Sequence, residues 1–356
     1  MKNTIIIFLF FNAFQVFAQV QVPIVSKEWS FVEREPRRFE NKLGNEAVYL
    51  NGQASLENVK FQDGIIEFDF MAEKPRAFAG LYFRAQDRGN HETFYVRLHK
   101  SGFPDAIQYN PEFNGESNWQ LYREHQAVIN FNPKEWNHIK VEFRGSELKA
   151  FLNGMPEPIL HVANLRRKDK KGFIGFYSFL GAYFSNFKYT QFSETTPFNQ
   201  HEKYDPDVVR EWELSKTYEI SKMDVNQYPK TKKLEWKIYS AEPSGLLNIN
   251  KHRRKTSSGN FEENPVNVVW ARYKFRSSEP AVKKLSFDFS DDAVVYFNGA
   301  KLFQGKNSFR AKGPTFRGDM LIDGNTLFLN TKKGENEILV AVSDKANGWG
   351  IMAKIE

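Results

Sequence analysis

Apolar and polar residues change places at every second position along much of this chain, and a period of two belongs to β-strands with one buried face. Ile66, Phe68 and Phe70 alternate with Glu67, Asp69 and Met71; Leu81 and Phe83 alternate with Tyr82 and Arg84; Phe94, Val96 and Leu98 alternate with Tyr95, Arg97 and His99. The pattern runs on through Ile139, Val141 and Phe143 to a hairpin signal at Phe151-Leu152-Asn153-Gly154, where Asn-Gly readily takes the positive φ angles of a type I′ turn. It closes with Gly172-Phe173-Ile174-Gly175-Phe176 and Phe184-Ser185-Asn186-Phe187-Lys188-Tyr189. No stretch has the spacing of a helix of three or more turns, so the chain is predicted to be all-β.

A second strand-rich block runs from Trp212 to Glu356, with its clearest strands at Val268 to Phe275, Lys284 to Phe289 and Ala293 to Phe297, the last ending in another Asn-Gly turn at Asn298-Gly299. Between the blocks, residues 193–206 are polar and carry Pro197, Asn199, Gln200 and Asp205-Pro206, the composition of a linker. One open sheet of so many strands would curl or split. The expectation is two β-sandwich domains of the jelly-roll kind in tandem, at 19–192 and 207–356. The chain has no cysteine, so apolar burial, rich in phenylalanine, must hold both domains together.

An apolar run from Thr4 through Val16 follows a single charge at Lys2 and ends in Val16-Phe17-Ala18. This predicts a signal peptide over residues 1–18, cleaved before Gln19, and a secreted or periplasmic protein. Asn12 and Gln15 interrupt the run, which is shorter than the roughly 20 residues that span a bilayer, so no membrane span is expected. The formal charge of +7 sits partly in Arg166-Arg167-Lys168-Asp169-Lys170-Lys171 and Lys251-His252-Arg253-Arg254-Lys255. In an exported protein such runs are solvated loops rather than a nucleic-acid surface, although the charge also permits an acidic polysaccharide.

The motifs Asp63-Gly64-Ile65-Ile66-Glu67-Phe68-Asp69, Ala79-Gly80-Leu81-Tyr82-Phe83-Arg84, Trp136-Asn137-His138-Ile139-Lys140, Leu152-Asn153-Gly154 and Gly172-Phe173-Ile174-Gly175 follow one another in order. On these, the block from Phe61 to Tyr189 resembles a concanavalin A-like lectin/glucanase domain, and more closely the subgroup called the 3-keto-disaccharide hydrolase domain. Ser290-Asp291-Asp292-Ala293-Val294-Val295-Tyr296-Phe297-Asn298-Gly299, Gly334-Glu335-Asn336-Glu337-Ile338 and Asn347-Gly348-Trp349-Gly350 make the second block similar to the galactose-binding-like jelly rolls appended to exported glycosidases. That resemblance implies support or sugar contact more often than chemistry. Fold likeness alone does not assign a function.

A sugar site needs aromatic faces for the CH side of a pyranose and polar groups for its hydroxyls. The alternation puts Arg84, Tyr95, Arg97 and His99 on the face opposite Phe83, Phe94, Val96 and Leu98, and Gln108, Tyr109, Asn114, Trp119 and Gln120 follow closely. These nine are the expected glycan contacts on a concave, accessible floor, unless the face is merely a polar outer surface. The loop from Phe103 to Trp119 would wall that floor or be an ordinary long hairpin loop. Glu92 and His99 are the candidate catalytic groups, Glu92 because it is the acid that the sequence sets nearest the polar face.

The family-16 glycoside hydrolases on this fold use Glu-x-Asp-x-Glu or a bulged form with one more residue. In Glu67-Phe68-Asp69-Phe70-Met71-Ala72-Glu73 the third acid comes one position too late, so Glu67 and Asp69 read as sheet-surface carboxylates. Hydrolysis needs a second, suitably spaced carboxyl, whereas a lyase needs one base such as His99 or Tyr95 with Arg97 to stabilise developing charge. His91, Glu92 and His99 match no metal spacing, and no cofactor is expected beyond a structural calcium that Asp291 and Asp292 could hold; an Asp-rich turn is the alternative. Trp136, Trp270 and Trp349 read as core, Trp349 alternatively as a sugar-stacking ring. The predicted role is a carbohydrate-binding protein that holds a poly- or oligosaccharide on that face. The alternatives are a glycan-processing enzyme, hydrolase or lyase, using the same face, and a structural or adhesive surface protein.

Overall fold

The computed structural model describes residues 18–167, 171–198, 203–256 and 263–356. The expected signal peptide up to Phe17, the middle of the linker and part of the basic run at 166–171 lie outside the described residues. Among those described, strands are joined by turns and short 3-10 segments, with no α-helix, and no helix is long and apolar enough to cross a membrane.

The first domain is one antiparallel sheet of 13 strands that curls over on itself. Its spine is the 20-residue strand Gly172–Gln191. From Phe173 to Phe179 this strand pairs with Phe78–Asp87, and from Ala182 onward with Gly64–Ala72, while along its other edge Asn45–Phe61 pairs from Gly172 to Phe184 and Gln19–Gln21 from Lys188 to Thr190. One strand therefore belongs to both layers. The crossing is made at Leu180 and Gly181, both left-handed, with φ of 69° and 88°. A Cβ on Gly181 would lie 1.9 Å from the Tyr49 hydroxyl oxygen, so only glycine fits.

Between the layers lie Ile66, Phe68, Phe70, Phe94, Val96 and Leu98, all buried as the period of two predicts. Phe176 and Phe184, one from each half of the spine, stack with centroids 4.5 Å apart, closing the core across the bend. Asn153-Gly154 and Asn298-Gly299 both have positive φ at each position, as the hairpin signals require.

The second domain sets a seven-stranded sheet against a four-stranded one. Trp212, Val269, Phe287, Val295, Val340 and Trp349 fill the space between them. Trp349 is fully buried and its Nε1 donates to the Val342 carbonyl at 3.1 Å, which makes it a core residue. Trp270 is equally buried but on the outer face of the larger sheet, beneath the segment carrying Tyr218, Met223 and Trp236. Trp136 departs from the core expectation: it sits half-buried against Ala47, Tyr49, Met71 and Tyr183, outside the main core.

The two domains interlock. Leu121, from the first, packs among Leu246, Met320 and Met352 of the second, and Gly348 and Gly350 leave the room it needs, since a Cβ on either would come within 3.1 Å of its side chain. Around it, Tyr122 donates to Glu242 at 2.8 Å, Asn250 donates to Asn118 at 2.9 Å, and the Met320 amide donates to the Gln120 carbonyl at 2.9 Å. Glu116 pairs with Lys255 at 3.2 Å.

Substituting Gly181→Ala should cost about 2–4 kcal/mol, because it combines a left-handed φ with a clash against a packed ring. Urea unfolding checks this; an unchanged midpoint would mean that the bend tolerates a side chain.

Candidate functional site

Cross-strand register builds the face opposite the core. His91 lies opposite Glu112, Thr93 opposite Asn110 and Tyr95 opposite Gln108. On the other side Tyr82 lies opposite Thr93, Gly80 opposite Tyr95, and Phe78 opposite Arg97. Tyr177 and Phe179 of the spine continue the same rows beside Gly80 and Phe78. Gly80 is what brings the two tyrosines together, since a Cβ there would lie 2.5 Å from the Tyr177 ring and 2.7 Å from the Tyr95 Cβ. The rings meet edge to face at 6.3 Å.

The expected glycan contacts divide among this face, the core side and the domain interface. Tyr95, Arg97 and Gln108 do share the polar face, but they are buried and bonded to one another: Arg97 donates to the Tyr95 hydroxyl and to Gln108 Oε1, each at 2.7 Å, and to the Asp105 carbonyl at 2.7 Å. Gln108 Nε2 in turn donates to the Trp119 carbonyl at 2.7 Å. Their accessibility is therefore corrected. Alternation tells which face a residue takes, not what covers that face.

Arg84 leaves the alternation at a bulge, where its φ is 50°. Its guanidinium is sealed in an ion pair with Asp63 at 3.0 Å and donates to the Gly145 carbonyl. Glu92 and Tyr109 keep the parity of Phe94 and Ile107, and so face inward. Glu92 is fully buried and accepts from the Tyr109 hydroxyl and from the Arg167 amide, the latter at 3.0 Å; burial pushes its carboxyl up to about 7. Asn114 and Gln120 belong to the interface, donating to the Asn250 and Arg317 carbonyls. Of the nine contacts, His99, Asn114 and Trp119 remain partly accessible. His99 is half-buried with Nδ1 3.3 Å from the Ala77 carbonyl, and Trp119 stands edge-on to Phe309 at 5.9 Å.

Part of the expected loop from Phe103 to Trp119 is a strand, Ile107–Phe113. Pro111 hides it in the sequence. The far side of that strand pairs only with two-residue strands, and near such an edge proline is tolerated.

The strand supplies Glu112, which the sequence reading missed and which stepping by two from Gln108 through Asn110 would have found. Its carboxylate lies 3.4 Å from His91 Nε2. Burial, helped by the negative charge of Glu116 and opposed by Arg34, pushes Glu112 up to about 7. Burial also pushes His91 down to about 4, with Arg167 adding to the effect, so the imidazole stays neutral beside it. Among the described residues, the buried Thr93 Oγ1 has no hydrogen-bond partner. Beyond it the half-buried Tyr177 and the exposed Phe179 line the face, and the Arg34 guanidinium lies 5.2 Å over the Phe179 ring. The result is an aromatic surface with one carboxyl that can exchange a proton near neutral pH.

Glu67 and Asp69 lie on the outward face of the other layer, as read from the sequence. His138 bridges them, Nδ1 to Asp69 at 2.7 Å and Nε2 to Glu67 at 3.3 Å, and Lys188 reaches Glu67 at 3.0 Å. The hydrogen bonds to Asp69 and Glu67 raise His138 to about 9, and the bond from His138 holds Glu67 down at about 2. Asp291 and Asp292 join no cluster of three or more acids or histidines able to hold a metal, and no such cluster exists elsewhere among the described residues.

The first domain is thus a curled antiparallel β-sandwich with a polar, aromatic outer face. Residues 27–190 match the family described as the 3-keto-alpha-glucoside-1,2-lyase-like domain. Among solved structures, the carbohydrate-binding module CBM66 from Bacillus subtilis is 16% identical, with a TM-score of 0.36 over 45% of this chain and 94% of its own. The β-glucanase of Bacillus licheniformis is 12% identical, with a TM-score of 0.35 over 49% of this chain and 98% of its own. Likenesses this low say nothing about activity. No curated protein matches the chain.

The His138 ion pairs stabilise the fold below the ordinary histidine range and are lost as pH rises through about 9. The His138 ring resonances should therefore titrate near that pH by NMR, and Asp69→Asn should bring the midpoint down; a midpoint at the ordinary histidine value in the unmodified protein would mean that the bridge does not form in solution.

Proposed function

We propose that the first domain, acting after export, binds a glycan across Tyr177, Phe179 and the Glu112 end of the face, and that it cleaves a 3-keto-α-glucoside by elimination. The observation that carries this reading is a single carboxyl, Glu112, held at about 7 beside a neutral imidazole. Two-carboxylate hydrolysis needs a partner acid at a defined separation, whereas removing a proton next to a ketone needs one base with a pKa near the working pH.

In that step Glu112 takes the proton from C2, which the C3 ketone acidifies. The C2–H electrons form the C1=C2 double bond as the C1–O bond breaks, and the departing oxygen takes a proton from water. His91 holds the carboxyl in place, and the positive charge of Arg34 favours its ionised form. The family match over 27–190 supports the substrate class. The second domain reads as a galactose-binding-like jelly roll that supports the first.

The test is release of nitrophenol from p-nitrophenyl 3-keto-α-glucoside. The rate should rise with pH and level off above about 7, fall about 100-fold or more in Glu112→Gln, and in Arg34→Gln reach its plateau at higher pH, because a charge that lowers the Glu112 pKa is gone. Retention of the sugar without release would make the face a binding surface only, and undiminished release in Glu112→Gln would remove this base from the reaction.

A further inference from the structure

Tyr95 separates two ends of the face. Glu112 lies at one; at the other, basic side chains gather around one carboxylate. Arg97 Nε is 3.8 Å from Asp105 Oδ2, Lys100 Nζ is 3.9 Å from Asp105 Oδ1, and Arg317 of the second domain pairs with Asp105 directly. Arg317 Nε also reaches Asp319 at 2.8 Å. The exposed Arg76 is close enough to act on both Lys100 and His99. Four permanent cations thus face two carboxylates.

Structural pairing accounts for Arg97 and Arg317, which share the buried Asp105. Lys100 is held less closely: its ammonium lies 4.9 Å over the Phe103 ring and beyond hydrogen-bond reach of that carboxylate, with a third of its side chain exposed. Burial first, and then Arg317, Arg97 and Arg76, make Lys100 a weaker base than a free lysine. Bringing like charges together is costly unless an anion joins them.

The aromatic element is present as well. The Arg97 and Arg317 guanidinium groups lie 5.9 Å and 5.2 Å from the centroid of the Trp119 ring, which stays partly accessible. A ring for the CH face of a pyranose beside cations for its substituent is what a charged sugar requires.

We propose that this basic patch is a subsite for an anionic sugar residue, bearing a carboxylate or a sulfate, packed against the accessible part of Trp119, and that the second domain completes it through Arg317. The inference rests on the reading that the face binds glycan, and it adds the class of sugar and a role for the second domain.

Binding of the full chain to an oligogalacturonate hexamer, to sulfated maltohexaose and to maltohexaose, followed by calorimetry, tests it. At least one anionic hexamer should bind roughly tenfold or more tightly than maltohexaose, and the two anionic probes tell carboxylate from sulfate. The advantage should shrink as ionic strength rises from about 0.1 to about 1 M, where the screening length falls from about 10 to about 3 Å. Arg317→Gln should remove most of it. Because that variant also loses its bonds to Asp105 and Asp319, the charge reversals Lys100→Glu and Arg76→Glu, at side chains outside the core, provide a second measure and should abolish it while the thermal transition stays in place.

Equal binding of neutral and anionic hexamers, or an anionic preference untouched by all three substitutions, would overturn the subsite. Nitrophenol release with no anionic preference sinks this inference and leaves the elimination reading intact. Anionic binding that depends on Arg317 with no release from the keto-glucoside does the reverse.

Discussion

The left-handed step at Leu180-Gly181 is the constraint from which the first domain follows. Because the spine strand turns there without ending, it pairs with Phe78–Asp87 on one side of the bend and with Gly64–Ala72 on the other. The two layers are therefore one hydrogen-bonded sheet, and Phe176 and Phe184 meet across the turn in the core. Tyr49 occupies the space a Cβ would need, so the ring that packs the outer side also fixes the angle of the bend. The rows that carry Tyr177 and Phe179 owe their position to the same turn.

Burial acts alike on several carboxyls, and what differs is the way out. Glu92 and Glu112 are both pushed up to about 7. Glu92 is enclosed by the Tyr109 hydroxyl and a backbone amide on the core side, so its proton has nowhere to go. Glu112 keeps 19% of its side chain exposed beside one neutral histidine. On the opposite layer His138 experiences the reverse balance, since two carboxylates outweigh its partial burial and keep it charged. Chemistry is possible where a shifted group can still meet a substrate.

The all-β class and the inward set of Ile66, Phe68, Phe94 and Val96 were legible because a period of two is a local signal. Placing Tyr95 and Arg97 on the outer face was legible for the same reason. That reasoning failed where a local rule was interrupted: the positive φ of Arg84 ended the alternation, and Pro111 concealed the strand that brings Glu112 to His91. Tyr109 was counted with Gln108 although neighbours on a strand point opposite ways. The sealing of Tyr95, Arg97 and Gln108 was out of reach, because it comes from Trp119 and from the Arg317 segment, more than two hundred residues further along the chain in the second case. Pairings over such separations leave no periodic trace in one sequence.

The short stretch around Leu121 has a consequence for how this protein can be taken apart. It is encoded with the first domain, yet its leucine is part of a cluster that belongs to the second, and the hydroxyl of the adjacent Tyr122 is satisfied by Glu242 and Asn248. A cut at the sequence boundary between the sandwiches would strip an apolar knob of its socket and leave a phenol without its acceptor or its donor. The unit of inheritance and the unit of stability do not coincide, and shuffling either half onto a foreign neighbour would require that neighbour to supply a matching hollow.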